Sequence, residues 1–174
     1  VGSEMCIRDR AVAIAASKQK AGIGRLGSRW LSEEGNLHFS IRIPSELIPE
    51  DIKLILPLAA GATIAQFIAA ETGQNISLKW PNDLILDGRK VGGILCEASI
   101  LDGQMQNVII GIGINLDHAP LIDGEMSYPA GTLLSPIDRK SLDVSQWAKK
   151  LSIWFCQNWL KLSKQSTLHA WSFF

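Results

Sequence analysis

The alternation of apolar and polar side chains along the chain predicts a set of short strands. Residues 36–43, NLHFSIRI, change between apolar and polar at almost every step, which is typical of a strand with one buried face. Further strands are predicted over 11–17, 76–80 and 107–114. Asp87-Gly88 lies between two apolar runs, and this pair favours a two-residue hairpin turn, whose central residues need positive φ.

Two segments show the helical repeat instead. Residues 51–72 end before Gly73 and place one set of apolar residues on a single face: Ile55, Leu58, Ala62, Ala65 and Ala69. Residues 142–162 repeat large apolar side chains, tryptophans among them, at the same spacing. Because the helices are set apart from a mostly antiparallel sheet, the pattern predicts an α+β fold rather than a doubly wound one.

Length and charge limit the classes of protein. A chain of 174 residues fits one domain. Its 17 basic and 17 acidic residues balance, so we expect neither nucleic acid nor an anionic membrane as a partner. The longest apolar stretch, 54–70, is interrupted by polar residues, which argues against a membrane span. Three cysteines without a CxxC pair indicate a reducing, cytoplasmic location.

The first ten residues, VGSEMCIRDR, differ from the rest of the chain. They show neither helical nor strand periodicity, and they lack the apolar run of a signal peptide. We therefore expect residues 1–10 to be foreign to the fold or unstructured, and residues 11–174 to form the domain.

The first candidate for chemistry is the glycine-rich segment 22–30. Its three glycines allow the backbone to approach a ligand closely and to present N–H groups to phosphate or carboxylate oxygens, and Arg25 and Arg29 add fork-shaped cationic donors. The spacing is neither the dinucleotide-binding pattern nor a P-loop. Taken alone, the segment is better explained as an ordinary mobile loop.

The second candidate is the run Lys79-Trp-Pro-Asn-Asp83 with the hairpin that follows it. The turn brings Lys90 back alongside residues 83–86, so Lys79, Asp83 and Lys90 are expected to converge within roughly 10–15 Å, given a strand rise of about 3.3 Å per residue. Two lysines and a carboxylate would suit an anionic ligand. A solvated sheet edge protected by charges is an equal alternative.

The third candidate is the strand 108–115, VIIGIGIN. Gly111 and Gly113 lie two positions apart and so open the same face to a ligand or to another backbone. Asn115 could bind a ligand or cap the following loop, and packing alone explains the glycines equally well. As an edge strand, this segment could pair with a second copy of the chain, which leaves a homodimer open.

The histidines predict no metal site. His38, His118 and His169 have no partners at metal-ligand spacing. His38 is expected to be solvated, because it falls on the polar side of its strand.

Together and in this order, the three segments resemble the catalytic domain of biotin protein ligases. The Gly-Arg-Gly-Arg-x-Gly-Arg-x-Trp loop of that family is matched at 22–30, and its Lys-Trp-Pro-Asn-Asp run is present unaltered at 79–83. Its Lys-(Leu/Val)-(Ala/Gly)-Gly-(Ile/Val)-Leu pattern is at 90–95, and its Gly-x-Gly-Ile-Asn pattern is at 111–115. The resemblance covers roughly residues 12–172.

This resemblance implies a fold like that of class II aminoacyl-tRNA synthetases and the activity of a biotin–[biotin carboxyl-carrier protein] ligase. The biotin carboxylate attacks the α-phosphorus of ATP, which enters with Mg²⁺, and gives biotinyl-5′-AMP and pyrophosphate. A lysine of a biotin carboxyl carrier domain then attacks the adenylate. Because two anions must meet, positioned cations are expected to carry much of the catalysis.

The same resemblance assigns roles to individual residues. Arg25 and Lys90 are the expected catalytic residues. The expected biotin-binding residues are Gln19, Gly22, Ile23, Gly24, Arg25, Lys90, Gly93 and Gly111. The expected nucleotide-binding residues are Trp30, Lys79, Asn82, Asp83, Gly113 and Asn115, with Asp83 orienting a lysine or a Mg²⁺-bound water.

The chain also departs from the family. Ile23 and Ser28 stand where the glycine loop has arginines, so the loop carries fewer cations. The upstream Ser-Thr-Asn segment that binds the biotin ureido ring is not matched, and neither the C-terminal β-barrel nor an N-terminal DNA-binding domain has a counterpart. We therefore expect an incomplete ligase domain with weakened biotin affinity and no repressor role. A lipoate-type ligase on the same fold and a non-catalytic biotin- or nucleotide-binding fragment are the alternatives.

Overall fold

The computed structural model describes residues 3–7, 11–120, 128–135 and 138–162, and these form an α+β fold. The strands are β1 (Ser3–Ile7), β2 (Ala11–Ala16), β3 (Gly22–Ile23), β4 (Arg29–Trp30), β5 (Leu37–Pro44), β6 (Ser77–Lys79), β7 (Asp83–Leu86), β8 (Arg89–Leu101) and β9 (Gln104–Ile114). The helices are α1 (Glu50–Lys53), α2 (Leu56–Thr72) and α3 (Val144–Leu162).

Seven of these strands form one sheet in the order β1-β2-β5-β9-β8-β7-β6, and every neighbouring pair is antiparallel. β3 and β4 form a separate hairpin. The predicted α+β fold is therefore confirmed. The interpretation of 107–114 as an edge strand is wrong, because β9 lies between β5 and β8 and both of its hydrogen-bonding edges are used.

Two tight turns set the register of the central strands. Asp87 and Gly88 have φ values of 48° and 69°, so the predicted hairpin between β7 and β8 is confirmed. Asp102 and Gly103, with φ values of 50° and 75°, make a second turn of this kind between β8 and β9. The sequence pattern did not predict this second hairpin, because its two arms are long and mostly exposed towards the turn.

The start of the chain also differs from expectation. Ser3–Ile7 is not unstructured: it forms β1, which pairs with β2 in the register Ser3 with Ala15 to Ile7 with Ala11. Backbone hydrogen bonds of a strand at the edge of a sheet need no alternation of side chains, which is why periodicity did not reveal it.

The predicted helix over 51–72 is interrupted. Leu54 and Ile55 separate α1 from α2, because Pro57 has no N–H to continue the first helix and is instead tolerated in the first turn of the second one. Gly73 ends α2 with a φ of 73°, as predicted. The five apolar residues that the sequence places on one face are only half-buried. The residues of α2 that are buried are Leu56, Ala59, Ala60, Gly61, Thr63, Ile64, Phe67 and Ile68.

Helices α2 and α3 cover one face of the sheet. The edge of Phe67 meets the ring of Trp147 at 5.6 Å between centroids, and Trp154 donates its Nε1–H to the Thr63 carbonyl at 3.2 Å. Alternate residues of β5, Leu37, Phe39, Ile41 and Ile43, point into this layer. The helical spacing predicted for 142–162 is confirmed, and no described helix is both long and apolar enough to cross a membrane.

The position of Phe67 between the two helices generates a prediction on stability. Phe67→Ala should lower the free energy of unfolding by about 3–5 kcal/mol, because it removes a ring that is 1 % exposed and leaves a cavity between α2 and α3. Gln66→Ala, at the exposed neighbouring position, is the control and should change it by less than about 0.5 kcal/mol. Denaturant titration measures both, and an equal effect of the two variants would contradict this packing.

Candidate active site

The face of the sheet opposite the helices forms the floor of a cavity of about 560 Å³, a size that suits a small-molecule ligand. Most of the residues expected at a ligand line it: Gln19, Ile23, Gly24, Arg25, Trp30, Asn82, Asp83, Lys90, Gly93, Gly111, Gly113 and Asn115. Arg25 and Lys90, which are 65 positions apart in sequence, thus face one common space. Gly22 and Lys79 are not among its lining residues.

A row of directly paired residues crosses this floor. His38 pairs with Gly113, Gly113 pairs with Gly93, and Gly93 pairs with Asp83, so all four share one face of the sheet. The indole of Trp30 lies on the two glycines: a Cβ on Gly113 would meet the ring at 2.3 Å, and one on Gly93 would meet it at 3.2 Å. The glycines therefore provide the space that Trp30 occupies.

Lys90 is held in the cavity by its side chain and by its backbone. Its ammonium forms an ion pair with Asp83 at 2.6 Å and lies 5.8 Å from the centre of the Trp30 ring. Its N–H donates to the Pro129 carbonyl at 2.8 Å, and its carbonyl accepts from Gly131 N–H at 2.9 Å. The predicted approach of Lys90 to the β7 strand is thus present, and segment 129–131 fixes it from the other side.

Two asparagines at the cavity use their amides to hold the backbone in place. Asn115, which is 2 % exposed, donates from its side chain to the Gly131 carbonyl at 3.1 Å. It thereby fastens segment 129–131 next to Lys90. Asn82 donates to the Ile94 carbonyl at 3.1 Å and is half-buried.

Lys79 pairs through its backbone with Asp83, but its ammonium points elsewhere. It lies 4.6 Å from the centre of the Tyr128 ring, in a cation–π arrangement. The lysine therefore flanks the site without lining the cavity.

The glycine-rich segment is a small hairpin. Gly22 pairs with Trp30 and Ile23 pairs with Arg29, and a Cβ on Gly22 would come within 2.6 Å of the Trp30 carbonyl oxygen. The tip, residues 25–27, is a short 3₁₀ turn. Gly24 N–H donates to the Ser28 carbonyl at 2.6 Å, so this N–H serves the hairpin and does not face a ligand.

His38 is buried at the base of this hairpin, and the expectation that it is solvated is wrong. It is 3 % exposed, because the residues that follow β4 cross over it. Its Nε2 lies 2.8 Å from the Ser32 hydroxyl and 3.3 Å from the Glu33 carbonyl, and Gln19 N–H donates to the same hydroxyl at 2.7 Å. Burial lowers the pKa of His38 below its usual 6.5, and the carbonyl of Glu33 partly opposes this.

Several residues that line the cavity were not predicted from the sequence. Ser40 and Leu95 flank Gly111 on the same face, and Ile109 and Glu97 extend the wall beyond them. The alternation in β5 and β8 was the available signal, because residues two apart from Gly93 and His38 must share their face.

The described residues contain no group of three or more His, Cys, Asp and Glu side chains that could hold a metal ion, and His169 lies outside them. Cys96 and Cys156 form no disulfide, and burial raises the pKa of Cys96 to about 12, so it is not a nucleophile at neutral pH.

The contact between Trp30 and the glycine floor generates a prediction. Gly113→Ala should lower the free energy of unfolding by about 1–3 kcal/mol, because the added methyl group overlaps the indole. Gly111→Ala, with its nearest neighbour at 3.7 Å, is the matched control and should be tolerated. In a chain that already carries Trp30→Ala, Gly113→Ala should lower the free energy of unfolding much less. Additive effects of the two substitutions in this double-mutant cycle would contradict the overlap.

The buried His38 generates a prediction on pH. Its folded-state pKa is lowered, so the unfolded chain binds a proton more readily, and the free energy of unfolding should fall as the pH drops below about 6.5. Above that value the ring is neutral in both states and contributes no pH dependence. His38→Gln should show a smaller loss of stability between pH 7.5 and pH 5 in denaturant titrations. An identical loss in both proteins would show that another group is responsible.

Comparison with known proteins places the chain in a family. The Biotin/lipoate A/B protein ligase family matches residues 9–115. The bifunctional ligase/repressor BirA of Bacillus subtilis is 38 % identical over 107 residues, which are 62 % of this chain and 33 % of that protein. The biotin–[acetyl-CoA-carboxylase] ligase of Paracoccus denitrificans is 34 % identical over 110 residues, which are 62 % of this chain and 45 % of that protein. The chain thus spans a third to a half of the length of these relatives.

Solved structures agree. The biotin protein ligase of Aquifex aeolicus in complex with biotin and ATP superimposes with a TM-score of 0.72 at 33 % identity, covering 88 % of this chain and 62 % of that one. The Leishmania major enzyme in complex with biotinyl-5-AMP shares the fold with a TM-score of 0.72 at 24 % identity, covering 87 % of this chain and 66 % of that one. The expected fold is confirmed, and the chain belongs to the biotin/lipoate A/B protein ligase family.

Proposed function

We propose that this chain carries the catalytic centre of a biotin protein ligase, which activates biotin as biotinyl-5′-AMP and transfers it to a lysine of a biotin carboxyl carrier domain. The observation that carries the proposal is the common cavity of Arg25 and Lys90 above the Gly93–Gly113 floor. The named complexes of the relatives with biotin, ATP and biotinyl-5-AMP support the choice of ligands.

The first step joins two anions. An oxygen of the biotin carboxylate attacks the α-phosphorus of ATP, the P–O bond to the β-phosphate breaks, and pyrophosphate leaves. The barrier to this approach is electrostatic, so a fixed cation beside both groups lowers it. Lys90 suits this role because backbone hydrogen bonds on both sides fix its position, and Asp83 prevents its amine from swinging into solvent.

Arg25 supplies the second cation. It lies at the tip of the glycine hairpin and is exposed, so the hairpin can bring it onto the ligand from above while Lys90 stays on the sheet. Two cations on opposite walls would clamp the phosphate and the carboxylate together. Closure of the hairpin over the adenylate would also exclude water from a mixed anhydride that hydrolyses readily.

The second step consumes the adenylate. The uncharged amine of a carrier lysine attacks the carbonyl carbon, an amide bond forms, the bond to the phosphate oxygen breaks, and AMP leaves. Asp83 on the cavity wall, and Lys79, whose backbone pairs with it at the margin of the cavity, would orient the nucleotide during both steps. ATP would enter with Mg²⁺, and thiols of Cys96 and Cys156 that form no disulfide fit a reducing compartment such as the cytoplasm.

Pyrophosphate exchange into ATP, dependent on biotin, tests the first step. Lys90→Ala should lower the exchange rate by about 10²-fold or more, because the developing charge loses its fixed partner. Lys149→Ala, an exposed lysine on α3 at the other face of the sheet, should leave the rate unchanged. Exchange by Lys90→Ala at the rate of the unaltered chain would remove Lys90 from the mechanism.

The same assay separates the alternatives. Exchange that depends on lipoate in place of biotin would indicate a lipoate-type ligase, a class that the family description includes. Binding of biotin or ATP by calorimetry without exchange would indicate a binding module.

A further inference from the structure

A chain of hydrogen bonds joins both ends of the glycine hairpin to the sheet. Gln19, before the hairpin, donates its N–H to the Ser32 hydroxyl at 2.7 Å. Ser32, after the hairpin, lies 2.8 Å from His38 Nε2 in β5. The segment before the hairpin and strand β5 after it are therefore linked through the Ser32 hydroxyl.

The surroundings of His38 show that this link is more than packing. Its Nδ1 is buried and has no hydrogen-bond partner among the described residues, and only Nε2 is used. An unpaired buried polar atom costs free energy that an apolar side chain of similar volume would not. Packing alone therefore does not explain a histidine here. The hydrogen bond between Nε2 and Ser32 does.

The tautomer follows from the neighbours of Nε2. Both the Ser32 hydroxyl and the Glu33 carbonyl lie within reach of Nε2, and a carbonyl can only accept. The proton therefore belongs on Nε2, where it serves Glu33 and the Ser32 oxygen, and Nδ1 keeps a lone pair. Ser32 then accepts from Gln19 as well, which leaves its own hydroxyl proton free to rotate.

We infer that His38 is a positioning residue, which acts through Ser32 to fix the main chain at Gln19 and to aim the glycine hairpin at the cavity. Gln19 and Arg25 line the cavity. His38 itself stands in the transverse row with Gly113, next to the glycines under Trp30. The position of His38 in β5 thus sets the distance between the glycine hairpin and the Gly93–Gly113 floor. The kinetic part of this inference rests on the proposed function, and the structural part does not.

Amide hydrogen exchange of the ligand-free chain, read by NMR, tests the structural part. In His38→Phe and in Ser32→Ala the Gln19 amide should exchange about tenfold faster or more, because its acceptor is displaced or removed. His38→Gln, whose side-chain amide can donate from near the position of Nε2, should restore slow exchange. The Gln74 amide, which donates to the Thr72 hydroxyl at 3.1 Å outside the site, is the internal control and should not change.

Pyrophosphate exchange tests the kinetic part on the same variants. The KM for the carboxylic acid should rise about tenfold in His38→Phe and in Ser32→Ala. The KM for ATP should stay within about twofold, and His38→Gln should be close to the unaltered chain. A residue that only stabilised the fold would change the melting temperature without this split.

Several results would overturn the inference. Slow exchange of Gln19 in His38→Phe would show that the ring does not hold Ser32, and failure of His38→Gln to restore it would show that Nε2 is not the relevant atom. If His38→Phe does not fold, Ser32→Ala decides alone. Absence of pyrophosphate exchange in the unaltered chain would count against the proposed function, while the amide measurement would still decide the role of His38.

Discussion

The flat patch made by Gly93 and Gly113 is the constraint on which the candidate site depends. The two glycines face each other across β8 and β9, and the Trp30 indole lies where their side chains would be. Side chains at these positions would overlap the indole and displace it towards the cavity. Trp30 is paired with Gly22 at the base of the glycine hairpin, so the same contact also sets where that hairpin begins. The floor, the aromatic wall and the cationic tip are therefore parts of one arrangement.

The electrostatics of the cavity follow from how its cations are held. Lys90 is about three-quarters buried and is neutralised in part by Asp83, whereas Arg25 is exposed and makes no ion pair among the described residues. In the proposed function an incoming carboxylate would meet one cation that is already oriented and one that is exposed on the hairpin tip. Binding of an anion to Lys90 would cost little conformational entropy, because the geometry of this side chain is fixed before the ligand arrives. As the proposed ligand is enclosed, the lower dielectric would strengthen its interaction with Arg25.

Local chemistry explains what the sequence could predict. The hairpin at Asp87-Gly88, the Gly73 helix end and the convergence of Lys90 with Asp83 each depend on residues within a few positions of one another. Most features of the fold that the sequence did not predict depend on residues far away in the chain. The burial of His38 requires the crossing segment at Ser32, and the central place of β9 depends on two neighbouring strands. The break before α2 is a local effect of Pro57, but the continuous apolar pattern hides it. The resemblance predicts which residues bind the ligands, and the fold adds that Lys79 faces Tyr128 and that the amides of Asn82 and Asn115 bond to the backbone.

The two departures in the glycine hairpin have a structural meaning. Ile23 is 65 % exposed on the wall of the cavity, and Ser28 closes the hairpin through its carbonyl while its hydroxyl sits against Gly24. Neither position can supply charge, so the attraction of an anion falls on Arg25, Arg29 and Lys90. A loop with fewer cations also repels itself less, and this hairpin is held together by backbone hydrogen bonds even without a ligand. A hairpin that is already formed pays less ordering entropy when it closes, which partly offsets the weaker electrostatic pull. In the role proposed for His38, the placement of the hairpin depends on its two anchored ends. The link through Ser32 to the sheet would therefore matter more in this chain than in an arginine-rich loop.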